Sequence, residues 1–231
     1  MAVTVLARAL DLLVPAACVA CGLPGADLCR WCLATMAPPS APACARCGHP
    51  WAVEVGACAE CPRRIDLARH ATAYAGAAAA AVAGLKDARR RGLAREMAAL
   101  VGGRIAPPPA GAVIVPVPLA RARERQRGFN QARLLADALG RRWGREVRDV
   151  LVRPRDGPPQ RGSAAGVRAA QVRGAFAARP GAPAPEVAWL VDDVLTTGAT
   201  LAACALALRR GGAREVCAVT FARALRGAPH G

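Results

Sequence analysis

The clearest polar–apolar pattern lies toward the C-terminus. The run VAWLVDDV is apolar without alternation until two adjacent acids, as a strand buried on both faces would be. LTTGAT follows as a loop, LAACALALRRGG reads as a helix, and EVCAVTFA returns as another strand. Upstream, AVIVPVPL predicts a short strand, then a charged loop, then the helix NQARLLADALGRRW. Further upstream, TAYAGAAAAAVAGLKDARRRGLAREMAALVGGRI reads as helix broken between Gly84 and Gly92, and PPPAGA as a loop. Strands alternating with helices over short connections predict an α/β fold, a parallel sheet flanked by helices on both faces. In such sheets ligands bind beyond the carboxyl ends of the strands.

The N-terminal part follows another pattern. Val3, Leu6, Leu10 and Leu13 recur at helical spacing, while Arg8 and Asp11 interrupt the apolar run. This predicts an amphipathic helix rather than a signal peptide. No later stretch offers about 18 uninterrupted apolar residues, so no membrane span is expected. A cytoplasmic, reducing setting follows, in which clustered cysteines are metal ligands rather than disulfides. Eight of the ten cysteines form four CxxC pairs: Cys18 and Cys21, Cys29 and Cys32, Cys44 and Cys47, Cys58 and Cys61. A two-residue gap lets one tight turn present two thiolates to one tetrahedral ion, so four pairs make two complete sites for structural zinc. Consecutive and interleaved sharing of the pairs use the same residues. Gly22 and Gly48 follow two of the pairs where the backbone must curl round the metal, and His49 stands beside Cys47 as an alternative ligand or a surface histidine. Cys204 and Cys217 fall in apolar segments and are expected to be core thiols. The chain therefore divides into an N-terminal helix and a zinc-binding module with two four-cysteine sites over residues 1–68, and an α/β domain over residues 69–231.

Composition changes this picture only modestly. A formal net charge of +16 suits a polyanionic partner. Yet Lys86 is the single lysine among 32 basic residues, and so strong an arginine skew in an Ala-, Gly- and Pro-rich chain also fits codon bias. Four Trp, three Phe and one Tyr provide few platforms for base stacking. Lys86 itself reads either as a compact ammonium wanted beside phosphate oxygens or as an ordinary solvated lysine.

The two acids answer to a more specific chemistry. A buried strand ending in Asp192 and Asp193 delivers carboxylates to the sheet's carboxyl edge. Gly198, Ala199 and the hydroxyls of Thr196, Thr197 and Thr200 then open a helix whose first N–H groups form a phosphate cradle. The plainer alternative is an Asp capping a turn and threonines capping a helix.

LVDDVLTTGATL resembles the PRPP-binding motif of type I phosphoribosyltransferases. With the four CxxC pairs, LKDARRRGLA, VPVPLARARERQRGFNQARLLADAL and PPQ…VRGAF, the chain as a whole resembles the ComF family, which joins a zinc region to a phosphoribosyltransferase-like domain. The resemblance implies that Asp192 and Asp193 hold the ribose hydroxyls and that Thr196, Thr197, Gly198, Ala199 and Thr200 bind the 5′-phosphate of PRPP, with Mg²⁺ accompanying the diphosphate. It implies further that Pro116, Val117 and Pro118 border the pyrophosphate, and that Arg127, Asn130 and Gln131 order the loop over it. The segment carrying Gln160 and Arg168 falls where these enzymes have a lid. There the chain departs from the usual pattern, with Gly157 for threonine, Ser163 for leucine and Gln171 for asparagine. Two functions follow: a phosphoribosyl transferase acting on an unidentified acceptor, or a competence factor for DNA uptake that binds single-stranded DNA, alongside other competence proteins, without turnover.

Overall fold

The computed structural model of the 231-residue chain describes residues 16–50, 53–87, 90–154 and 175–225. The expected N-terminal amphipathic helix, Gln160, Arg168 and the three departures in the lid segment lie outside the described residues. In chain order the elements are α1 (Arg30–Thr35), β1 (Leu67–Ala73), α2 (Gly76–Asp87), α3 (Leu93–Arg104), β2 (Val113–Pro116), α4 (Arg121–Arg127), α5 (Gln131–Trp143), β3 (Leu151–Val152), β4 (Ala177–Ala178), β5 (Val187–Leu195), α6 (Ala199–Arg210) and β6 (Glu215–Arg223).

Four strands form one parallel sheet in the order β1-β6-β5-β2, as the alternating pattern predicts. Side chains alternate across it, because successive residues of a strand point to opposite faces. Ile114, Trp189, Val191, Cys217, Val219 and Phe221 enter one core with α2, α3 and α5. Val113, Val115, Ala188, Leu190, Val216 and Ala218 enter a second core with α6 and the small antiparallel pair β3–β4. The unbroken apolar runs of β2, β5 and β6 are thus strands covered on both sides. Cys204 and Cys217 are buried core thiols, at 0% and 1% exposure.

Two of three boundaries differ from the sequence pattern. Thr72 and Ala73, read as helix, belong to β1, which pairs with β6 from Leu67↔Cys217 to Ala73↔Arg223. The helix break falls where the pattern places it, with α2 ending at Asp87 and α3 beginning at Leu93, and Gly84 itself stays inside α2. A Cβ there would stand 2.8 Å from Val19 Cγ1, so the missing side chain makes room for the first cysteine turn. The charged loop after β2 is the helix α4, which ends on Gly128 in the left-handed region, φ +79°. None of its residues is buried, so it has no apolar face that could reveal it.

The cysteine module is two copies of one turn. Cys18 N–H donates to Leu23 O and Gly22 N–H to Cys18 O; Cys44 N–H donates to His49 O and Gly48 N–H to Cys44 O, at the same offsets. Gly22 and Gly48 have φ of +76° and +67°, which a side chain would disfavour. Each copy docks on the body. Arg90 on the α2–α3 connection bonds to Ala17 O and pairs with Asp27. Arg104 at the end of α3 donates to Ala71 O and Met36 O at 2.9 and 2.7 Å. No helix among the described residues is long and apolar enough to cross a membrane.

Candidate functional site

The eight paired cysteines form two clusters, Cys18, Cys21, Cys29 and Cys32, then Cys44, Cys47, Cys58 and Cys61, so consecutive pairs share each site. His49 lies outside both. Sγ···Sγ separations are 3.7 Å for Cys21 and Cys29, 3.6 Å for Cys44 and Cys61, 3.6 Å for Cys47 and Cys58 and 3.9 Å for Cys58 and Cys61. A tetrahedral ion with Zn–S bonds of about 2.3 Å needs about 3.8 Å between sulfurs, so the donors already stand where zinc would hold them. These distances are far too long for disulfides. The thiols also show the strain of four acids sharing one place. Burial opposes ionisation of Cys44, but the N–H groups of Cys47 and Arg46 and the thiol of Cys61 bring it down to about 7. Burial, with the Cys44 and Cys47 groups, pushes Cys61 up to about 12. A divalent cation removes that conflict by binding all four as thiolates. With four protein ligands each, the sites fit two structural zinc ions and leave no position for substrate.

The second constellation gathers at the carboxyl edge of the sheet. β5 is an inner strand, and its last turn of alternation sends its two acids to opposite faces. Asp193, 5% exposed, meets Lys86 from the end of α2, with Nζ 2.6 Å from Oδ2. Asp192 lies opposite Thr220 of β6 and on the side of Cys204 in α6. Burial, followed by the charge of Asp193, holds the Asp192 carboxyl well above the usual carboxylate range. The acids also fold back on the chain: Asp193 N–H donates to Asp192 Oδ1 at 2.9 Å and Val194 N–H to Asp193 Oδ1 at 2.8 Å. Lys86 is therefore neither free nor simply solvated. It is the countercharge of one of the two acids.

After β5, Thr196 and Thr197 are exposed, Gly198 is buried, and Ala199 and Thr200 begin α6. Gly198 has φ +73° and caps α6 with no side chain of its own, while Thr197 Oγ1 accepts from the Ala199 N–H at 3.4 Å, so a threonine hydroxyl already stands at the helix start. Neighbouring β2 ends at Pro116, in register with Val191, and Val117 N–H donates to Val191 O. Asn130 binds this loop to α5: its Nδ2 donates to Val117 O at 3.0 Å while its Oδ1 accepts from Ala132 N–H at 3.0 Å. Arg127 Nη1 donates to Gln131 Oε1 at 2.7 Å, joining α4 to the start of α5. The acids, the threonine loop, Lys86, Pro116, Val117, Pro118 and Asn130 thus come together at one edge, with Arg127 and Gln131 at its α4–α5 margin.

Two contacts at this edge escaped the sequence reading. Pro62, just after the last cysteine of the second cluster, packs on Gly198. Arg223, the final residue of β6, is 1% exposed and reaches carbonyls of the same cluster. A proline in a turn and an arginine among 31 carry no mark of such a position.

Residues 9–62 match the double zinc ribbon domain family, which covers both cysteine clusters. The chain is also 38% identical over 116 residues to competence protein F of Haemophilus influenzae, a match covering 48% of this chain and 50% of that protein. The chain thus spans about half the length of the curated relative it matches.

Proposed function

We propose that the chain is a ComF-type protein, a reading supported by the double zinc ribbon match and the partial match to competence protein F, and that it is a PRPP-binding, phosphoribosyltransferase-like protein that transfers the phosphoribosyl group to an unidentified acceptor. Residues 1–68 act as the zinc module and residues 69–231 as the transferase domain, in the cytoplasm. The observation that carries this reading is the pair of acids at the carboxyl end of an inner strand, followed through a threonine-bearing loop by a left-handed glycine at the start of a helix. Carboxylates accept hydrogen bonds from ribose hydroxyls, and helix N–H groups take a phosphate dianion.

In the proposed reaction a nitrogen of the acceptor attacks C1′ of PRPP. The C1′–O bond breaks, and pyrophosphate leaves with the electron pair. Mg²⁺ accompanying the diphosphate would neutralise its charge. Asp192 and Asp193 favour the positive charge that develops on the ribose ring, and Lys86, 2.6 Å from Asp193 Oδ2, orients that carboxyl. Pro116, Val117 and Pro118 border the leaving group, and Asn130 keeps that loop against α5.

Titration calorimetry with Mg·PRPP tests the reading. Wild type should bind, and Asp192→Asn combined with Asp193→Asn should weaken binding at least about tenfold, since charge-assisted hydrogen bonds are worth about 1.5–3 kcal/mol. Undiminished affinity in a folded, zinc-loaded double variant would reject the site. A second reading, single-stranded DNA binding in a competence role, draws on the exposed arginines of α4 and on the name of the Haemophilus relative. It predicts affinity that falls steeply with salt and drops when Arg121, Arg123, Arg125 and Arg127 are neutralised.

A further inference from the structure

The second cysteine cluster is built into the same edge as the acidic loop. A Cβ on Gly198 would stand 2.9 Å from Pro62 Cβ and 3.3 Å from Pro62 Cα, so the loop backbone lies directly on the residue after Cys61. Arg223 closes the other side. It is in register with Leu195, the last residue of β5. From there its Nη1 donates to Cys47 O at 2.8 Å and its Nη2 to Glu60 O at 3.2 Å. One carbonyl belongs to a ligand of the first turn and the other lies between the two ligands of the second, so one guanidinium fastens both halves of the cluster. Cys44, Cys47 and Ile65 share a core with Leu195 and Leu201, the residues that bracket the loop.

We propose that the second zinc ribbon is the floor of the phosphate loop, with Arg223 and Pro62 as its positioning residues, so that zinc in this cluster and a phosphate ligand on the loop stabilise each other. This rests on the loop being the phosphate site of the preceding section. The physical basis is charge and packing together. A Zn²⁺ held by four thiolates is doubly negative, and the buried guanidinium of Arg223 sets a positive charge against it. Losing the metal releases the turns whose carbonyls hold Arg223 and whose Pro62 supports Gly198 in its left-handed conformation. Because binding coupling is reciprocal, a ligand that fixes the loop must slow metal loss from this cluster.

The test uses the full zinc-loaded chain, with ribose 5-phosphate and Mg·PRPP as probes. Pulse alkylation under a chelator, read peptide by peptide, follows each cysteine cluster separately, and calorimetry measures the probes' affinity. The expected result is that either probe slows alkylation of Cys44, Cys47, Cys58 and Cys61 at least about fivefold more than that of Cys18, Cys21, Cys29 and Cys32. Pro62→Gly and Arg223→Lys should keep both zinc ions, bind ribose 5-phosphate at least about fivefold more weakly and lose the selective protection. Should Arg223→Lys fail to fold, Pro62→Gly decides alone. Equal protection of both clusters, which general stabilisation of the native state would produce, overturns the coupling but leaves the phosphate site standing. So does unchanged affinity in Pro62→Gly. If wild type binds neither probe, the phosphate site fails and the coupling falls with it.

Discussion

Asp192 carries a stability cost that can be measured. In an unfolded chain an aspartate titrates near about 3.9, whereas burial and Asp193 hold it higher in the fold. The folded state then binds more protons than the unfolded state, so the contribution of this group to stability falls as pH rises from the unfolded value through the folded one. Asp192→Asn should therefore raise the melting temperature at neutral pH while weakening PRPP, and the gain should vanish below about pH 4. Thermal unfolding across that range checks it. Lys86 is expected to act in the opposite direction. Lys86→Met leaves Asp193 buried without its cation, and because the lysine end is 29% exposed the loss should be about 1–3 kcal/mol, below that of a fully buried pair. Adding Asp193→Asn should recover most of it in denaturant unfolding.

At the level of elements, small residues decide where helices begin and what they touch. Gly198→Ala puts a Cβ at a φ of +73° and within 2.9 Å of Pro62. The left-handed conformation alone costs about 1–2 kcal/mol, and the contact adds to it. Gly103, exposed in the last turn of α3 with open space around it, is the contrasting case. Gly103→Ala should stabilise by about 0.5–1 kcal/mol. Chemical denaturation of both variants should give shifts of opposite sign. The elements that the polar–apolar pattern misassigned share one cause. β1, LARHATA, is an edge strand of the sheet with polar residues in its middle, and it runs into the alanine-rich α2, so no period of two emerges. α4 is all surface and has no period to read.

For the molecule as a whole, the two cysteine clusters are not separate beads. Cys18 and Cys29 lie in the core that contains α3 and α5, and Cys44 and Cys47 in the core that contains α6. Metal analysis should therefore return two zinc ions per chain, and chelation should lower the single melting transition of the whole protein rather than remove a separate small one. A folded body with unchanged melting after both ions are stripped would contradict this. What the sequence by itself determined is everything written in local spacing. CxxC fixes which thiols can share a turn, an apolar run fixes a strand covered on both faces, and an Asp-Asp pair before Thr-Thr-Gly-Ala-Thr fixes carboxylates beside a helix start. Only the tertiary structure decided which pairs share a metal, that Lys86 answers Asp193, and that Pro62 and Arg223 join the second cluster to the loop at Gly198. These contacts join residues far apart in the chain. Their geometry is set by the register of β5 and β6 and by the docking of the ribbons, which no short stretch of residues encodes.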